Sequence, residues 1–359
     1  MTILNLCCSL QPSLKGAKMM TKFFWRYAVL TVLMLTTVQG IGYAERVNLL
    51  CSPDLAWCEA LGPAFNEATG HDLEFIRVSS QDALARIRAE AENPVFDVWF
   101  GGTGDPHLGA AREGVTEFYE PSMWEDILPN LRSAVGGEYI PLYAGALGFV
   151  VNTQVVEEQN LDVPTSWADL TDEQYRGLIA MPDPNSSGTA YTIIATLVQI
   201  LGEDEAFEYL ADLHRNVAQY TSSGSAPGQL AGRGEVAVAI QFMHDGVKFA
   251  EQGFPLQVIA PAEGTGYEIG GVSLITNAPN REAAIDFIEW VLTPEAQAIA
   301  AEQGDSYQVQ SNQNTPVAEL APDLDSINLI DYDFDRYGTP DVRSALVARW
   351  TENVFPLPR

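Results

Sequence analysis

Beyond residue 44 this 359-residue sequence contains a single lysine, Lys248. That scarcity excludes a polybasic surface, and with it nucleic-acid binding and electrostatic attachment to a membrane. Lys and Arg number 19 against 48 Asp and Glu, a net of −29; the first 44 residues hold four of those basic groups and no acidic one, so the remainder stands at 15 against 48, a net of −33. Bulk acidity of this kind is a solubility trait before it is a sign of cationic ligands. No apolar run reaches the ~20 residues that span a bilayer. The sequence also lacks a Gly-x-Ser-x-Gly elbow, a Gly-Lys-Ser/Thr phosphate loop and a His-Glu-x-x-His pair, and Gly102-Thr103-Gly104 misses the third glycine of the dinucleotide fingerprint. Catalysis has no motif to rest on, and no cofactor is called for.

What is present begins at the N-terminus. Lys22 and Arg26 precede an apolar run of about a dozen residues from Tyr27 to Val38, and Gly42-Tyr43-Ala44 forms a small-x-small cleavage pattern. Residues 1–44 therefore read as an upstream extension, because Met19 and Met20 stand directly before the run, followed by a secretory signal peptide that delivers the chain to the periplasm. Of the four cysteines, Cys7 and Cys8 fall within that segment. Cys51 and Cys58 remain as an even pair in an exported protein and predict a disulfide between the first strand and the first turn of the next helix.

From Val47 onward strands alternate with helices, the pattern of α/β lobes whose mostly parallel sheets are flanked by helices. Val47–Leu50, Asp72–Val78 and Phe96–Phe100 read as strands, with helices over Leu55–Ala68, from Ser79-Ser80 to about Glu92, and from Asp105-Pro106. A second lobe repeats the logic with strands at Leu147–Asn152, Leu178–Met181 and Val236–Phe242, a helix opening at Ser166, and a long helix after Thr189. Gly271–Ile275 returns the chain to the first lobe, ahead of helices Arg281–Val291 and Pro294–Glu302, an irregular stretch from Tyr307 to Asp341 and a short helix near Ala345–Asn353. The expected division is 45–148 for the first part of lobe 1, 149–270 for lobe 2, and 271–359 for the return to lobe 1 and the C-terminal helices, with two crossing strands as a hinge.

In open α/β sheets a ligand crevice lies beyond the carboxyl ends of the strands, where helix N-termini present unpaired N–H groups. Small hydroxyl and glycine residues occupy such turns four times here: Ser79-Ser80, Gly101 to Gly104, Ser186-Ser187-Gly188-Thr189, and Ser222 to Ser225. Any one of them is explained by ordinary helix capping. Their joint occurrence points to an oxyanion site built from neutral donors, with Ser52, Ser79, Ser80, Gly102, Thr103, Ser186, Ser187, Gly188 and Thr189 as candidates. Arg77 and Arg86 are equally suited to anion contact and to surface ion pairs.

These residues also carry a family resemblance. Cys51-Ser52-Pro53 with Trp57-Cys58, Phe75 to Ser80 followed by Ala83 to Ile87, Asp97 to His107, Pro164 to Leu170, Pro294 to Gln297 and Asp333 to Gly338 resemble the periplasmic binding proteins known as ferric-iron receptors, and among them most resemble the branch that binds hexose phosphates. The resemblance implies a type 2 binding protein, two lobes joined by a two-strand hinge that close on a ligand, working as a monomer with the permease and ATPase of an ABC importer. It further implies that His244-Asp245 and Glu268 contact sugar hydroxyls, for which carboxylates are good acceptors. Two alternatives stay open. Ferric binding needs hard anionic ligands, typically an adjacent tyrosine pair, and no Tyr-Tyr occurs, with Tyr307, Tyr332 and Tyr337 isolated. Hydrolysis would use Asp245 and Glu268 as a carboxylate pair at a fixed separation across the scissile bond.

Overall fold

One 13-residue strand, Ile140–Asn152, is buried at every position. Its run of Ile, Leu, Ala, Phe and Val leaves no polar face, so it must be covered on both sides. In this computed structural model, which describes residues 45–359, that strand belongs to two lobes at once. The expected signal peptide lies outside the described residues.

In chain order the strands are β1 (Arg46–Cys51), β2 (Asp72–Arg77), β3 (Val98–Phe100), β4 (Thr116–Glu117), β5 (Ile140–Asn152), β6 (Ile179–Pro182), β7 (Val217–Thr221), β8 (Val238–Phe242), β9 (Leu256–Ile259), β10 (Tyr267–Ile275) and β11 (Val309–Gln310). Eight of them join in the order β2-β1-β3-β10-β5-β8-β6-β7, with β4 added on β10 and β9 and β11 on β5. The first half of β5 pairs antiparallel with β10, from Ile140 opposite Val272 to Ala146 opposite Tyr267. Its second half pairs with β8, from Leu147 opposite Phe242 to Val151 opposite Val238. β1 to β3 are mutually parallel, as are β6, β7 and β8, so each lobe sends the carboxyl ends of its parallel strands toward the same crevice.

Each lobe has its own core. Leu49, Trp57, Phe65, Phe100, Leu142 and Phe287 fill the first; Phe149, Trp167, Tyr191, Ile194 and Ile240 fill the second. Full burial of a side chain of this size contributes roughly 1.5–3 kcal/mol, which makes each lobe a separately stabilised body. The two-lobed α/β architecture expected from the sequence is therefore what forms, and the predicted Cys51–Cys58 disulfide ties the end of β1 to the helix Leu55–Thr69.

Helices Arg281–Val291 and Pro294–Glu302 fall at the expected limits. Others differ for local reasons. The helix expected to open at Ser166 is one 3-10 turn, Ala168–Thr171, because the Asp169 carboxylate accepts from the backbone N–H groups of Thr165 and Ser166 and closes the turn on itself. The helix after Ser79 ends at Ala89, short of Glu92. The C-terminal helix starts at Pro340, since proline suits the first helical turn. A third passage between the lobes joins the two crossing strands: β11 pairs with β5 beside the first lobe, and the chain then carries Tyr332, Tyr337, Leu346 and Trp350 into the second lobe's core.

Candidate functional site

The cavity between the lobes is walled by the turns that follow six parallel strands, three from each lobe. After β1, Ser52 accepts from Trp99 Nε1 at 2.9 Å, while the disulfide holds the turn. After β2 come Ser79 and Ser80; Ser80 Oγ accepts from the Thr103 backbone N–H at 3.1 Å. After β3, Gly101 and Gly102 take φ of +69° and +89°, and a Cβ on Gly102 would collide with Ser80 Oγ. Glycine is required there by both conformation and space.

The second lobe supplies the opposite wall. Ser187 caps the helix Gly188–Leu201, and a Cβ on Gly188 would strike Thr103 Oγ1, so the first-turn residues of one lobe touch those of the other. Ser79 Oγ lies 2.9 Å from the Ser186 carbonyl oxygen, and Arg77 Nη2 donates to Ser223 Oγ at 3.3 Å. Ser225 Oγ donates to Asp54 Oδ1 at 3.1 Å, and Lys248 Nζ to Asp54 Oδ2 at 2.8 Å. The lobes are thus closed on each other, and the lone lysine beyond residue 44 forms one of the ion pairs between them.

At the hinge side sit three ionisable groups. His244 and Asp245 open the helix Met243–Glu251 after β8, and Glu268 lies on β10 opposite Gly145 of β5. Gly145 makes room for the imidazole, since a Cβ there would stand 2.5 Å from His244 Nδ1. His244 Nε2 is 3.7 Å from Asp245 Oδ1 and 4.0 Å from Glu268 Oε1. Burial pushes the imidazole down to about 4, against the pull of Asp54, so it is neutral at pH 7. Burial also lifts Asp245 and Glu268 well above the usual carboxylate range, Asp54 adding to the first and Asp245 to the second. Among the described residues neither carboxyl has a hydrogen-bond donor against it. They are acceptors left open toward the cavity.

Ser52, Ser79, Ser80, Gly102, Thr103, Ser187, Gly188, Thr189, His244, Asp245 and Glu268 all line this cavity. Ser186 does not: its hydroxyl turns back to the Ser222 carbonyl at 3.1 Å, and it serves the cleft through its own carbonyl. Sequence reasoning passed over Asp54, Tyr143, Phe242 and Gln308, which also line it, and left Arg77 undecided. Arg77 is the one Lys or Arg lining the cavity among the described residues. Its place at the end of β2, two residues before Ser79, was the available signal. Asp54, directly before the first helix, had one too, whereas Tyr143 and Gln308 depend on pairing across β5 and β11.

For metal, no group of three His, Cys, Asp or Glu among the described residues is placed to hold an ion. Tyr332 and Tyr337 are buried in an aromatic cluster with Phe334 in the second lobe. The phenol that does line the cleft, Tyr143, accepts from the Gly102 N–H at 2.8 Å, and burial holds it well above 10, disfavouring phenolate.

Residues 107–336 match the family described as bacterial extracellular solute-binding protein. An uncharacterized protein of Haemophilus influenzae is 41% identical over 322 residues, which cover 88% of this chain and 93% of that one. The periplasmic binding protein AfuA from Actinobacillus pleuropneumoniae, with exogenous fructose-6-phosphate bound, is similar with a TM-score of 0.85 and 40% identity, over 86% of this chain and 98% of that one. Iron-bound HitA from Pseudomonas aeruginosa is similar with a TM-score of 0.72 over 85% of this chain and 98% of that one, at 18% identity, a likeness of fold alone.

Proposed function

Since the chain belongs to the bacterial extracellular solute-binding protein family, whose members bind small molecules for ABC permeases, we propose that its cargo is a phosphorylated sugar, held in the interlobe cleft outside the cytoplasmic membrane. The observation that carries this reading is the twofold make-up of the cavity lining. One set of groups is serine, threonine and glycine at the first turns of helices from both lobes, which hold oxyanions through N–H and O–H donors and favourable dipoles without lysine. The other set is Asp245 and Glu268, buried carboxyls lacking protein donors and open to the hydroxyls of a polyol. A sugar phosphate has this same division, and a relative 40% identical is known with fructose-6-phosphate bound.

Ser79, Ser80 and Thr103 from one lobe, with Ser187, Gly188 and Thr189 from the other, take the phosphate, and Arg77 supplies the nearest positive charge. His244, Asp245 and Glu268 orient the sugar. Contact with both lobes makes ligand binding favour closure, the hinge motion running through β5 and β10 near Gly148–Asn152 and Gly270–Ser273. The ferric alternative has less support, because the cleft offers a neutral phenol and no tyrosine pair. Titration calorimetry of the mature, monomeric protein with fructose-6-phosphate, fructose, inorganic phosphate and ferric citrate tests the reading. Selective binding of the sugar phosphate is expected; binding of ferric citrate alone would refute it.

A further inference from the structure

A buried ion pair outside the cavity lining joins the two walls of the proposed oxyanion cradle. Asp105 stands two positions beyond Thr103, in the first turn of the helix Gly104–Arg112. Its carboxylate accepts from Arg343 Nη1, which comes from the helix Pro340–Asn353. The Arg343 guanidinium lies 4.5 Å over the ring of Tyr191, in the first turn of the helix Gly188–Leu201. Tyr191 in turn donates its hydroxyl proton to the Tyr337 carbonyl at 2.5 Å. Arg343 is 7% exposed, and Leu346 and Trp350 of its own helix sit in the second lobe's core.

We infer that Arg343 is a positioning residue for ligand capture: bonded to one helix and stacked on the other, it holds the Thr103 and Ser187–Thr189 turns in register when the lobes close. The inference rests on the proposed oxyanion cradle. It follows from what closure does to charge. Apart, Asp105 and Arg343 are both hydrated; together, both lose water and each compensates the other. With Arg343 gone, closure buries the Asp105 carboxyl without its cationic partner, leaving it only the Thr103 hydroxyl and its own backbone N–H; burial already raises it above 3.8, so the closed state is penalised relative to the open one. Apparent affinity falls with the fraction of closed, binding-competent protein.

The test is calorimetry and stopped-flow on Arg343→Met with fructose-6-phosphate as probe. Kd should rise about thirtyfold, mostly through faster release. The double variant Asp105→Asn, Arg343→Met, with no stranded charge, should recover much of that loss, which a merely structural role would not produce. An unchanged Kd in Arg343→Met, or a double variant as weak as the sum of the singles, would overturn the clamp. If Arg343→Met does not fold, Asp105→Asn replaces it with the same expectations. If the unaltered protein binds no sugar phosphate, the cargo reading fails by itself, and the clamp is judged from nitroxide distances between exposed Glu67 and Glu208. A shift to longer interlobe distances in the folded variant supports it, and identical distributions overturn it.

Discussion

On the proposed reading, the donor and acceptor groups that line the cleft, its donor end and its acceptor end, work in opposite ways. At the proposed donor end the groups are backbone N–H and small hydroxyls at helix starts, uncharged at any physiological pH, with Arg77 the one cationic side chain among them. At the acceptor end, three titratable side chains are buried together, with His244 driven neutral and Asp245 and Glu268 driven toward protonation by the same loss of water. The first is rigid and tolerant of a very acidic protein; the second is discriminating because each unpaired acceptor is costly until a ligand supplies a donor. On this account affinity for the anion is shared among many weak contacts, and selectivity for the body rests on few.

The largest effect is expected where the walls touch. Gly188→Ala puts a methyl into Thr103 Oγ1 and blocks closure, so binding of sugar phosphate should fall by at least about a hundredfold in calorimetry, with the melting temperature little moved. A variant that still binds tightly would show that the donor end does not need both lobes.

Next come the acceptors. Asp245→Ala or Glu268→Ala should weaken fructose-6-phosphate binding by roughly ten- to a hundredfold while leaving any affinity for inorganic phosphate unchanged. Ser79→Ala and Ser187→Ala should cost less, about tenfold, and act on both ligands alike. Equal losses for the two ligands at both ends would erase the distinction between them.

The smallest effect is on stability, and its sign differs within the acceptor end. For Asp245 and Glu268 the folded pKa is raised, so their contribution is fully present below the ordinary values of 3.8 and 4.5 and is lost as pH rises through the raised ones. His244 is lowered from 6.5 to about 4, so its contribution is present above 6.5 and lost as pH falls through 4. Melting curves of the unliganded protein should show Glu268→Gln gaining stability relative to the parent above pH 5 and His244→Gln gaining it near pH 4. Parallel pH profiles would contradict the buried, closed geometry.

The hydroxyl and glycine turns that line the cleft were readable in the sequence because a strand followed by Ser, Gly or Thr and then a helix is a local pattern, and local capping chemistry is the same whatever the fold around it. Gly102 and Gly188 were named for that pattern, although the reason for each, a close approach to Ser80 and to Thr103, belongs to the tertiary structure. His244, Asp245 and Glu268 stood out through a family resemblance; spacing alone gave no physical ground for bringing β10 against the helix after β8. Ser186 was misplaced because capping rules do not say which hydroxyl in a run faces the cleft. Tyr143 was out of reach because the first half of β5 carries no alternation to mark it as a strand. Arg343 was missed as well, since the tail's return to the second lobe depends on aromatic packing between segments far apart in sequence.

On the proposed reading one cavity holds a phosphate and a polyol through separate sets of groups. Paired calorimetric titrations of the unaltered protein and Glu268→Ala with fructose-6-phosphate and inorganic phosphate test it most directly. Tight binding of the sugar phosphate is expected, with a drop of about tenfold or more for it in the variant and no change for phosphate. No affinity for the sugar phosphate in the unaltered protein, or an equal loss for both ligands in the variant, would contradict it.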